Sequence, residues 1–251
     1  MLEKLLAKTL VFALLMGFLL SGCSSASKPE VINSSKFGPM VQVYETIIVP
    51  DGAVFDGKGS LYDWAGEGDC SQTEGMPPMF KLKGNSILKN IRMKNAPDGI
   101  HIGGSNVTVD NIVNLDVCED AISIKLDKNK NIPHDIVISN SKFFDCVDKA
   151  IQITRGENLH IHNNEFHRCA KAIRVKEKAT NIRFENNKVY ESKVAIKVTG
   201  GDVFVANNLF EGAKIGFWVE QDGRFHDGGG NSLRNIAERK RKTEGGRFVT
   251  E

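Results

Sequence analysis

Hydrophobic residues recur in this chain as short runs in which every second position is apolar, the pattern of a strand with one face buried. From residue 79 onward such runs fall at 87–93, 100–102, 107–109, 122–124, 136–138, 151–153, 159–161 and 173–175, then at 182–184, 195–198, 203–205 and 217–219. Four share one five-residue frame: DGIHI from Asp98, DAISI from Asp120, KAIQI from Lys149 and KAIRV from Lys171. Val194 and Ile215 continue the frame, with steps of 21 to 29 residues. Such a period marks a solenoid, in which each repeat buries its apolar face by stacking on its neighbours.

Asparagine-rich corners separate the runs: Asn140-Ser141, Asn163-Asn164, Asn186-Asn187 and Asn207-Asn208, each followed two residues later by Phe143, Phe166, Val189 or Phe210. Asparagine tolerates the left-handed backbone of a tight corner, and identical side chains on successive coils can bond one another. A sandwich or open barrel of antiparallel strands would carry Asn-Gly or Asp-Gly hairpin turns, and few occur. The expected fold is therefore all-β, a single-domain parallel β-helix. Ile122, Ile124, Ile151, Ile153, Ile173 and Val175 fill its interior, while Ser123, Gln152, Arg174, Lys197 and Trp218 form a file pointing outward.

The pattern also divides the chain. Residues 1–22 carry lysines at 4 and 8, an apolar run over 10–20 and small residues before Cys23. The run is too short for a comfortable membrane span and fits an export signal. Leu20-Ser21-Gly22-Cys23 resembles the bacterial lipobox, which implies lipidation of Cys23, a membrane partner through that lipid, and an address at the cell surface or outer membrane. A plain cleaved signal is the alternative. Residues 23–41 read as a tether, 42–235 as the β-helix, with an irregular acidic loop over 61–78, and 236–251 as a charged, frayed tail.

Composition adds limits. At 251 residues with a net charge of +2, the chain holds one sizeable core and gives no argument for nucleic acid; a monomer is expected. Four cysteines besides Cys23 remain: Cys70, Cys118, Cys146 and Cys169. Adjacent coils could bring a pair close enough for a disulfide, and a column of buried free thiols explains the spacing equally well.

The frame carries the candidate chemistry. It stacks Asp98, Asp120, Lys149 and Lys171 in one column at about 4.8 Å per rung. Asp98, Glu119 and Asp120 bring three carboxylates near one point, with Asp116 nearby and Glu74 placed to fold over them. Clustered oxygen ligands suit Ca²⁺. Lys149, Lys171 and Arg174, joined by Lys125, form the opposite arrangement, a surface for an acidic ligand. Crowding by like charge lowers a lysine's pKa and would let an amine act as a base.

At these residues the chain resembles the family-three polysaccharide lyases, the small calcium-dependent pectate lyases built as right-handed parallel β-helices. The resemblance covers about residues 43–231 and is carried by FDGKG from Phe55, DGIHI from Asp98, CEDAISIK from Cys118, DKAIQI from Asp148 and KAIR from Lys171. It implies Ca²⁺ held by Asp98, Glu119 and Asp120, with Glu74 and Asp116 as further ligands. It also implies Lys149, Lys171 and Arg174 as catalytic and substrate-binding cations, with Lys149 the expected base and Arg174 the runner-up, and Lys125 as a carboxylate contact. The implied reaction is elimination across C4 and C5 of polygalacturonate. The lipobox, the cysteines and the basic end lie outside the family pattern. A hydrolase on the same fold would need opposed carboxylates to activate water. A lipid-anchored polyuronate-binding protein without turnover and a purely structural solenoid are the readings from other classes.

Overall fold

The computed structural model describes residues 38–71 and 75–249. The expected signal segment, Cys23, the tether through residue 37 and Glu74 lie outside the described residues. Among the described residues there are 24 strands and no helix, and the strands pair in parallel from coil to coil. Nine of them form one sheet, from Ile47–Val49 through Pro78–Leu82, Asp98–Ile102, Asp120–Ile124, Lys149–Ile153, Lys171–Lys176, Val194–Thr199 and Ile215–Glu220 to Glu238–Lys242. The remaining fifteen close the other sides of the coil.

These fifteen strands change character along the chain. Val54–Trp64, Ile87–Ala96 and Val107–Val117 are long and continue through a corner. From the next coil onward the same path breaks into two shorter strands, first His134–Ser139 and Lys142–Phe144. The break falls at Asn140, and its counterparts Asn163, Asn186 and Asn207 likewise have φ between 52° and 58°. That left-handed conformation is one asparagine tolerates.

The asparagine after each corner turns inward and builds a buried ladder. Asn164 Nδ2 donates to Asn187 Oδ1 at 3.1 Å, Asn187 Nδ2 to Asn208 Oδ1 at 3.2 Å, and Asn208 Nδ2 to Asn231 Oδ1 at 3.0 Å. Each acceptor also takes the backbone N–H of the coil before it. Buried amides need such partners, so repetition of one residue satisfies the whole column. Most of the remaining interior is apolar: Ile122, Ile124, Ile151, Ile153, Ile173 and Val175 are fully buried, and Phe143 stacks on Phe166 with ring centres 5.0 Å apart. Each such side chain contributes roughly 1.5–3 kcal/mol by leaving water.

Two boundaries differ from the sequence reading. The segment expected to be loop from residue 61 is strand as far as Trp64, because Tyr62 and Trp64 point into the core while Asp63 stays outside. The expected frayed tail is a further coil. Glu238–Lys242 pairs with Ile215–Glu220, and Arg247–Val249 pairs with Arg224–Asp227. The preceding coil offers a row of free backbone N–H and C=O groups, and a strand whose side chains all stay at the surface can pair with them.

The cysteines also pair. Cys70 is joined to Cys118, and Cys146 to Cys169, with Cα separations of 4.8 and 4.3 Å. The first pair fastens the acidic loop to the coil that carries Glu119 and Asp120.

Candidate active site

Asp98 and Asp120 each open a strand of the nine-stranded sheet, and the pairing of Ile100 with Ile122 sets them on neighbouring rungs. Gly99 makes the close approach possible, since any Cβ there would collide with the Ala121 carbonyl. Both carboxylates are buried. Asp98 accepts the Gly99 N–H at 3.0 Å and pairs with His101 Nε2. Asp120 accepts from Ser123 Oγ at 2.8 Å and from Gln152 Nε2 at 2.9 Å, and Lys149 Nζ lies 3.1 Å from its other oxygen. Burial pushes the Asp120 carboxyl up to about 6, against the pull of Lys149 and Ser123 and with the help of the Asp98 charge.

Asp98, Glu119, Asp120 and Lys125 line one cavity of about 180 Å³, together with Ser123 and Gln152. Asp116 does not join them. It is exposed on Val107–Val117, a strand of the other sheet, where it pairs in register with Lys94. The sequence places it near the cluster only because it precedes the corner that turns the chain toward Glu119.

The basic end of the column is not a bare ladder of cations. Lys149 and Lys171 occupy adjacent rungs, and Asp148 lies between their ammonium groups, pairing with Lys149 and accepting from Lys171 Nζ at 2.6 Å. Burial works to raise the Asp148 carboxyl, but the two lysines outweigh it and hold it below the usual range. For Lys149, burial works downward and Asp120 and Asp148 outweigh it, so its pKa is raised. That reverses the direction expected from crowding by like charge, because Asp120 and Asp148 both flank the ammonium group. The signal was present in the DKAIQI motif, one position before the column.

Arg174 stands on the outward file between Gln152 and Lys197. Its Nε is buried and has no hydrogen-bond partner. Lys197 is occupied: its Nζ lies 2.9 Å from Glu220 and 3.8 Å from the centre of the Trp218 ring. The site thus juxtaposes desolvated carboxylates, two lysines neutralised by shared acids, and one guanidinium whose Nε is unpartnered.

Among the described residues no group of three acidic, histidine or cysteine side chains is already arranged to hold a metal. The donors nevertheless suit a hard cation. Two buried carboxylates on adjacent rungs and a third acid share one small cavity, and burial makes charge on Asp120 costly there, which a bound cation would offset.

A family model for pectate lyases matches residues 32–221. A probable pectate lyase F of Aspergillus flavus is 41% identical over 86 residues, covering 33% of this chain and 36% of the relative. The chain thus matches about a third of that relative's length. An alginate lyase from Paenibacillus sp. superposes with a TM-score of 0.56 at 14% identity, covering 84% of this chain and 93% of the other. That likeness is one of fold.

Proposed function

We propose, since the chain belongs to the pectate lyase family, that it cleaves polygalacturonate by calcium-dependent β-elimination, giving 4,5-unsaturated oligogalacturonides. The observation that carries this reading is the unpartnered Arg174 Nε, set on the rung next to Gln152, whose side chain donates to the buried Asp120. Asp98, Glu119 and Asp120 would hold the cation, with Glu74 from the acidic loop as a further donor. When bound, Ca²⁺ neutralises the C6 carboxylate of the uronate and makes the C5 proton more acidic.

Arg174, whose Nε has no other hydrogen-bond partner, is the group that takes the C5 proton. This differs from the expectation that Lys149 is the base, because Lys149 is held by two carboxylates that favour its protonated form. Lys149, held protonated by its carboxylates, and Lys171 beside it instead face the negative charge that builds toward the C6 carboxylate, where fixed electrostatics act most strongly. Lys125, at the far end of the cavity, contacts a substrate carboxylate. The C4–O4 bond breaks as the C4–C5 double bond forms, and O4 leaves with a proton from solvent.

The two disulfides support an oxidising, extracytoplasmic location, and the lipobox supports a lipid anchor at Cys23. Mass spectrometry of the mature N-terminus tests that anchor. The reaction is tested by incubating the protein with polygalacturonate and following ultraviolet absorbance of the conjugated product, with calcium and then with chelator. Calcium-dependent absorbance, lost in Arg174→Ala, is expected. Reducing ends without absorbance would mean hydrolysis, and retained binding with neither signal would mean a binding protein without turnover.

A further inference from the structure

A second cavity lies off the column, at the corner where the nine-stranded sheet turns toward the next face. It encloses about 760 Å³. Its origin is a difference in corner length. Six residues lie between Val175 and Ile182, four between Val198 and Val203, and five between Val219 and Phe225, although Val175, Val198 and Val219 are in register, as are Ile182, Val203 and Phe225. The middle coil is therefore cut short between two longer ones, leaving a notch one coil wide. Gly200 and Gly201 form its floor with φ of 73° and 93°, and a Cβ on either would come within 2.7 or 2.8 Å of the carbonyl of Glu177 or Ala179.

The rim is basic. Arg155, Lys176, Lys178 and Arg224 outnumber Glu177 and Asp222. Arg155 is paired with Glu177 and Arg224 with Asp202, whereas Lys176 and Lys178 have no ion-pair partner among the described residues. Lys176 also lines the cavity that contains Asp98, Glu119 and Asp120, so the two cavities share a wall. From the coil of Asp120 to that of Lys176 is two rungs, or about 10 Å along the axis.

We propose that this notch is a distal subsite for an acidic polysaccharide, gripping the part of the uronate chain beyond the unit at the column through Lys176 and Lys178; it rests on the polyuronate reading above. The floor takes a ligand with little side-chain obstruction, and the two unpaired ammonium groups meet carboxylates that recur along such a chain.

Calorimetry with trigalacturonate and decagalacturonate in the presence of chelator measures binding apart from turnover. The wild-type protein is expected to bind the decamer at least tenfold more tightly than the trimer. Lys178→Glu, at an exposed position without an ion pair, should reduce that ratio five- to tenfold, and Lys178→Arg should restore it, with unfolding temperatures unchanged for both. An unchanged ratio in Lys178→Glu, equal weakening for both lengths, or no length dependence in the wild type would overturn the proposal. Failure of the wild type to form unsaturated product with calcium would instead count against the lyase reading, and leave the calorimetric comparison intact.

Discussion

Asp148 shows how one carboxylate changes what its neighbours can do. It separates Lys149 from Lys171 and neutralises much of their mutual repulsion. Asp148→Asn should lower kcat by about 10²-fold, in the range for loss of a charged positioning group. Stability should fall by about 1–3 kcal/mol, and the alkaline limb of the rate profile should move to lower pH as Lys149 loses a partner. An unshifted profile would leave Asp148 a purely structural residue. Asp120 gives the pH dependence of the metal-free fold. Its carboxyl lies near 6 in the folded chain against 3.8 unperturbed, so its contribution to stability is full below pH 3.8 and is lost as pH rises through 6. The loss is at most about 3 kcal/mol. Thermal unfolding in chelator should show it between pH 4 and 7, and Asp120→Asn should flatten it. Much of this site was legible, since the shared frame alone puts Asp98, Asp120, Lys149 and Lys171 on consecutive rungs. Asp148 was missed because an adjacent residue in sequence can reach into the column from the corner, which periodicity does not register. Asp116 stands apart for the converse reason: nearness in sequence placed it beside Glu119, although it stays exposed on Val107–Val117, before the bend that carries Glu119.

At the scale of single coils, the asparagine ladder ties neighbouring repeats together more specifically than the aliphatic core does. Asn187 accepts the Asn164 N–H and the Asn164 side chain, and donates to both Asn208 and the Ile161 carbonyl. Asn187→Ala removes all four bonds and takes the side-chain partner from the buried Asn164 N–H and from the Ile161 carbonyl on the preceding coil. A loss of about 2–4 kcal/mol is expected, seen as a lower urea midpoint with an unchanged m-value. The sequence made this ladder visible because corner asparagines recur with the coil period. The strand ending at Trp64 was less legible, since its outward acids and its glycines read as loop although Tyr62 and Trp64 point into the core.

For the whole molecule, the decisive question is how an open face of the solenoid is covered. A parallel β-helix has no chemical reason to stop: its last coil presents unpaired backbone groups and an open core to whatever lies beyond. Among the described residues, the Ile215–Glu220 rung is covered by Glu238–Lys242, a strand of charged residues, and Phe248 packs at 5.5 Å against the buried Phe225. The charged run looked like a solvated tail because side-chain pattern reports what is buried, and this strand buries almost nothing. Its contribution comes through the backbone, with Trp218 held over by Arg241 at 5.0 Å. Removal of residues 238–251 should therefore uncover Phe225 and the edge of Ile215–Glu220, lower the unfolding temperature by several degrees, and promote concentration-dependent association in size-exclusion chromatography. A frayed tail would be removed without either effect. Because Trp218 and Lys197 sit on the same sheet two rungs and one rung from Arg174, the truncation should also weaken decagalacturonate binding more than trigalacturonate binding, linking the end of the fold to the reach of its binding face.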